Sequence, residues 1–218
     1  MLPVGARERK AAVPQCPREH VTKPSFGSLI EFKGALSIVA DDIDPAGFVT
    51  GPHRVDTPHP DLAQALADLW GRVTVAGGAV GFSPTDPVDR LREAATALVE
   101  DVRHRRAHLI TLGQQHVLVG MAALRARQLP VRQHTGELVW LAVDPQLQGK
   151  GWGKQLHDAV VAQAQALGLE KLDLVTRSGH GLERFYTNLG WVERGRWPGA
   201  VRVAPGDDRD EIWLTRDV

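Results

Sequence analysis

The sequence predicts an α/β fold, a single domain with a mixed central sheet of about seven strands flanked by about four helices. Three observations carry this. Segments of extended and helical period follow one another in the order β, α, α, β, β, β, α, β, α, β, β. The three consecutive strands read as an antiparallel meander, whereas the later strand, helix, strand unit requires a parallel pair. Finally, 218 residues with 43% apolar content suffice for one full core and not for two generous ones.

In chain order, residues 1–30 are Pro-interrupted and without period, and are expected to form an irregular arm ahead of one domain over residues 31–218. The run ALSIVA (35–40), closed by Asp41, Asp42 and Asp44, predicts a first strand. Leu62, Ala65, Leu66, Leu69, Trp70 and Val73 form a helical stripe that Gly77 and Gly78 end. A second helix is expected from TDPVD, with Asp86 as cap, Pro87 in the first helical position and Val88, Leu91, Ala95, Leu98, Val99 and Val102 inward. HLITL, HVLVGMAAL and GELVWLAV make the meander. Leu156, Ala159, Val160, Ala164 and Leu167 predict a helix ended by Gly168. LDLV (172–175) is a strand, and Leu182, Phe185, Tyr186 and Leu189 lie on a helix stopped by Gly190. Two last strands near 191–197 and 211–215 enclose a long polar loop.

Composition excludes several function classes. Lys plus Arg equals Asp plus Glu at 26 each, so no global field draws the chain to nucleic acid or an anionic membrane. RHRR (103–106), with Arg125, Arg127 and Arg132, lacks the interleaved aromatics of a nucleic-acid site. The single cysteine, Cys16, rules out an internal disulfide framework. His104 and His108 have ligand spacing but no third partner, so no metal is expected. No apolar stretch reaches the roughly 20 residues of a membrane span, and the charged start lacks the apolar core of a secretion signal. A cytoplasmic setting is expected.

The chemistry concentrates in QLQGKGWGKQL (146–156), between a strand and a helix start. Glycines at 149, 151 and 153 allow positive φ and close approach of a phosphate, the helix start offers unpaired N–H groups, and Lys150 and Lys154 add charge. A nucleotide-hydrolase loop is excluded by Gln148 and Gln155, and the dinucleotide fingerprint by Lys154. Taken alone, the same residues also fit a turn with both lysines in solvent.

At this loop the sequence resembles the Gcn5-related N-acetyltransferases, the GNAT family. Gln148, Gly151 and Gly153 match its pyrophosphate signature, and GLERFYTNLGWVERG (181–195) is similar to its later signature segment. Trp152, at a position more often aliphatic, and SGHGLE (178–183) depart from the pattern. The resemblance implies a splay between two central parallel strands that admits acetyl-CoA. It places the pantetheine on the strand backbone of Leu141, Ala142 and Val143, and the diphosphate on amides of Gln148, Gly149, Lys150, Gly151, Trp152, Gly153 and Lys154. A backbone N–H near Leu141 would serve the oxyanion. It further implies direct transfer of acetyl to a primary amine of a small molecule or peptide in a ternary complex.

Tyr186, the only tyrosine, matches the family's acid, and also fits a core position on its helical stripe. Glu137 aligns with a catalytic glutamate of the histone-acetylating branch, with His134 and a water chain as rival bases. The late loop, with Trp197, Arg202 and acids at 207, 208, 210 and 211, corresponds to a region that borders the acceptor pocket. The later segment is also similar to bacterial members of unassigned substrate. Dimers are common in the family. Two other readings stay open: an acyl-CoA-binding regulatory module without turnover, and a protein-modifying acetyltransferase.

Overall fold

The structure is a computed structural model, and it describes residues 43–218. The arm and the strand expected at 35–40 lie outside the described residues. The described elements are β1 (Thr50–Val55), α1 (Leu62–Val75), α2 (Val88–Arg103), β2 (Ala107–Gln114), β3 (Val117–Ala126), β4 (Thr135–Val143), α3 (Trp152–Ala166), β5 (Lys171–Arg177), α4 (Leu182–Asn188), β6 (Val192–Ala204) and β7 (Asp207–Asp217). From α1 onward their order matches the expected one, and the first described strand is TGPHRV, which was not expected. Its Gly and Pro hide it from a propensity reading, and it forms because β2 offers an edge from Leu109 to Gly113.

Among the described residues one seven-stranded sheet runs β1-β2-β3-β4-β5-β7-β6. The only parallel pair among them is β4 with β5, joined through α3 as the crossover. Two cores lie on opposite faces. Leu62, Leu66, Leu69, Trp70 and Val73 of α1 and Leu91, Ala95 and Leu98 of α2 pack with Leu109, Met121, Ala123 and Ala142. Leu156, Val160 and Ala164 of α3 and Tyr186 of α4 pack with Leu124, Leu138, Leu172 and Leu174 on the other face. Alternation along each strand delivers side chains to both layers. No helix among the described residues is long and apolar enough to cross a membrane.

Three expectations need correction. The N-cap of α2 is Pro87, and Asp86 instead accepts from the Ser83 amide at 2.7 Å, closing the turn before the helix. Val88 is 59% exposed and stands outside the buried stripe. The long polar loop between the last strands is not a loop. β6 and β7 continue as a hairpin to a two-residue turn at Pro205 and Gly206, where Gly206 has φ +82°. Arg202 faces Asp208 in register and grips it through two bonds of 2.7 and 2.8 Å, and Arg196 bonds Asp210 at 3.0 Å. These cross-strand pairs let residues of low strand propensity take the ladder.

Candidate acyl-donor site and adjoining cleft

The sheet forks between β4 and β5. Thr135, Gly136 and Glu137 pair with Lys171, Leu172 and Asp173, and there the ladder ends. Residues 138–143 of β4 still pair with β3, and residues 174–177 of β5 with β7, so each keeps a backbone edge facing the gap. A bulge marks the same place. Ala123 lies opposite Trp140 and Leu124 opposite Leu138, leaving Val139 as the extra residue on β4. A bulge bends its strand and sharpens the local twist, which turns β4 away from its neighbour.

The loop after β4 is pinned from below. Asp144, 1% exposed, accepts from Arg72 Nε of α1 at 2.7 Å and from the Gln146 amide at 3.0 Å. Arg72 also donates to the Leu118 carbonyl at 2.9 Å, tying α1, β3 and the loop together. Gln148 donates its amide to the Val143 carbonyl at 3.0 Å. Gly149 and Gly151 have φ of +75° and +87°, and a Cβ at either would meet nothing within 4 Å. No side chain caps α3, so its first-turn N–H groups keep no side-chain partner at the positive end of the helix dipole.

The third glycine acts differently from the expectation. Gly153 lies inside α3 without positive φ. A Cβ there would stand 3.4 Å from Phe185 Cζ and 3.8 Å from Leu141 Cδ2, ordinary contacts, so the point where α3, α4 and β4 converge has room for a methyl. The lysines have partners within the chain. Lys150 Nζ donates to the Pro45 carbonyl, and Lys154 pairs with Asp158 at 2.5 Å. Trp152 is half-buried against the core.

Residues 77–191, just over half the chain, match the Acetyltransferase (GNAT) family. The chain belongs to the GNAT acetyltransferase family. Its fold is similar to that of an acetyltransferase of the GNAT family from Streptococcus pneumoniae, at 16% identity and TM-score 0.63, covering 78% of this chain and 100% of that one. An N-acetyltransferase from Staphylococcus aureus Mu50 is similar at 16% identity and TM-score 0.62, covering 78% and 99%. A Salmonella typhimurium protein solved with its cofactor acetyl-CoA is similar at 18% identity and TM-score 0.59, covering 77% and 94%. At these identities the likeness is one of fold.

Within this GNAT fold, Tyr186 is 7% exposed, its ring edge-on to Phe185 at 5.0 Å and Trp191 at 5.9 Å. Burial pushes its phenol well above the ordinary tyrosine range, which keeps it protonated. Glu137 sits at the closed end of the fork, about 13 Å along the strand from Leu141. Arg127 reaches both it, at 3.3 Å, and Asp173, at 2.6 Å, clamping the last paired register. The structure therefore brings Leu141, Gly153 and Phe185 together, with Tyr186 next along α4, and sets Glu137 apart from them. His134 is exposed in the loop before β4.

Beside the fork lies a cleft of about 330 Å³, lined by Phe82, Asp86, Val175, Arg177, Val203 and Glu211 among others. The α1–α2 linker, the free end of β5 and the β6–β7 hairpin build it. Ser83 Oγ donates to the Val203 carbonyl at 3.1 Å, closing linker onto hairpin. Trp70 stacks between Phe82, at 5.6 Å, and Trp140, at 4.8 Å, so an aromatic wall runs from β4 to the cleft. Sequence reading missed Arg72, Asp144 and Arg177. Asp-Pro after a strand signals only a turn, and nothing local shows that Arg177 becomes buried.

Proposed function

We propose that the protein is an N-acetyltransferase that moves acetyl from acetyl-CoA to a primary amine by direct attack in a ternary complex. The observation that carries this reading is the fork. An unpaired β4 edge leads to a concavity of glycine backbone at an uncapped helix start, as a donor with an extended amide arm and a diphosphate requires. The arm bonds the free backbone near Leu141, Ala142 and Val143. The diphosphate lies on amides over Gln148, Gly149, Lys150, Gly151, Trp152, Gly153 and Lys154, with the two lysine ammonium groups close by.

The amine enters from the cleft and attacks the thioester carbonyl. The new C–N bond forms, a backbone N–H near Leu141 takes the oxyanion, and the C–S bond breaks. Tyr186 gives its proton to the departing thiolate, and the amine's proton leaves through water to Glu137. Tyr186 packs against Phe185, which touches the first turn of α3, and this supports its role. Glu137 is bound to Arg127, so a water relay suits it better than direct contact.

Thermal unfolding with cofactors tests the reading. Acetyl-CoA at 100 times its dissociation constant stabilises the fold by about 2.7 kcal/mol, or roughly 5–10 °C for a domain of this size, while ATP and NAD leave it unmoved. Stabilisation by ATP or NAD alone sinks the proposal. Thiol release across a panel of amines then separates a transferase from an acyl-CoA-binding module without turnover.

A further inference from the structure

Arg177, the last residue of β5, lines the cleft and is 9% exposed. Its Nη2 donates to the Gly77 carbonyl at 2.7 Å, and its Nε has no partner. A neutral carbonyl does not balance a guanidinium, and a buried cation without a counter-charge is costly. The other charged groups of the cleft are already engaged. Arg202 grips Asp208 through two bonds, Asp86 accepts from the Ser83 amide and lies 3.8 Å from Arg90, and Glu211, opposite Arg177 in the β5–β7 register, accepts from Trp213 Nε1 at 2.9 Å. Asp207, whose field favours the Arg177 charge, is paired with Arg209. Burial, and then the charge of Arg209, hold the Arg177 guanidinium below its usual range. Among the described residues, Arg177 is thus the cleft's cation without an ion partner.

Position makes this a matter of substrate. Arg177 ends the stretch of β5 that has lost β4 as a neighbour, so the cleft opens onto the gap in which acyl transfer would occur. We infer that the acceptor is an amine that also bears a carboxylate, of the class of amino acids and short peptides with a free C-terminus, and that Arg177 binds that carboxylate. The amine end then points along the free edge of β5 towards the fork. This inference rests on the acyl-transfer reading of the site. A guanidinium fork matches a carboxylate in a bidentate bond that an amide cannot reproduce. A carboxylate arriving there would complete the missing ion pair, and an uncharged acceptor would leave it open.

The experiment uses the full chain and matched pairs of amines: α-amino acids, ω-amino acids and dipeptides, each as free carboxylate and as C-terminal amide. Thiol release from acetyl-CoA gives kcat/KM for both members. We expect the carboxylate to be favoured by about tenfold or more, mostly through KM. Arg177→Gln, which keeps a donor for the Gly77 carbonyl, brings the ratio towards one, and Arg177→Lys restores part of it. A merely structural Arg177 would move stability and leave the ratio alone. Equal rates within pairs, preference for the amides, or a ratio unmoved by Arg177→Gln overturns the inference. If Arg177→Gln does not fold, the wild-type ratio alone decides. If no thiol is released, the same pairs are compared by thermal shift, with and without coenzyme A, and equal shifts within pairs overturn it. Failure of acetyl-CoA to stabilise the chain refutes the transferase reading separately, while the pair comparison still decides what Arg177 binds.

Discussion

Gly153 and Phe185 touch across the junction of α3 and α4, with 3.4 Å left between the ring and any Cβ placed on the glycine. That gap is an ordinary contact, so the two glycines of the loop and helix differ in kind. Gly153→Ala fits helical backbone and raises stability by up to about 1 kcal/mol. Gly151→Ala, at φ +87°, costs about 1–2 kcal/mol. Urea unfolding of the two variants shows opposite signs, and equal signs would refute the assignment of ordinary helical backbone to one and left-handed backbone to the other.

Arg72 and Asp144 hold the loop from beneath. With Asp144 1% exposed and Arg72 also largely covered, Arg72→Met leaves a buried carboxylate without its cation and costs about 3–5 kcal/mol. Chemical denaturation measures the loss. The same variant weakens acetyl-CoA binding in titration calorimetry, because the backbone of residues 145–151 loses its anchor.

Tyr186→Phe removes one hydroxyl from a ring that keeps its packing. Turnover falls by about 10²–10⁴ while acetyl-CoA affinity stays as it was, read from steady-state rates beside calorimetry. Unchanged turnover would remove Tyr186 as the acid.

Glu137→Gln separates a proton acceptor from a clamp. As the acceptor at the end of a water relay, its loss lowers kcat about 10²-fold, read from steady-state rates. If only the clamp with Arg127 and Asp173 matters, stability drops in chemical denaturation and kcat stays as it was.

His157 predicts the pH dependence of stability. It is 1% exposed, and Trp191 Nε1 donates to its Nε2 at 2.9 Å, so the proton sits on Nδ1, facing Asp158 at 3.1 Å. Burial lowers its pKa first, the Asp158 bond opposes this, and the nearby Arg216 and Lys154 charges lower it further. With the folded pKa below the unfolded value of about 6.5, the unfolded chain binds the proton first. Stability is therefore full above that value and falls as pH drops below it. Melting temperature against pH between about 7 and 5 measures the slope, and His157→Gln, which keeps an acceptor for Trp191, flattens it.

Element order, both helical stripes on the α1–α2 face and the glycine loop were legible because each is written in neighbouring residues: period 3.6, alternation, and Gly beside Lys. β1 and the β6–β7 hairpin were not, since TGPHRV and the acid-rich turn have poor strand propensity. They take their form from partners distant in the chain, the β2 edge and the Arg202–Asp208 register.

The same division runs through the site. By itself the sequence determined that a glycine turn leads from β4 into a helix start, because positive φ and a helix start are local properties of a few residues. Only the tertiary structure decided where the ladder between β4 and β5 stops, that Gly153 lies within a helix and not in a turn, and that Arg177 is buried without an ion partner. Each depends on which backbones meet across the sheet. Pairing, close approach and desolvation are set by atoms far apart in sequence.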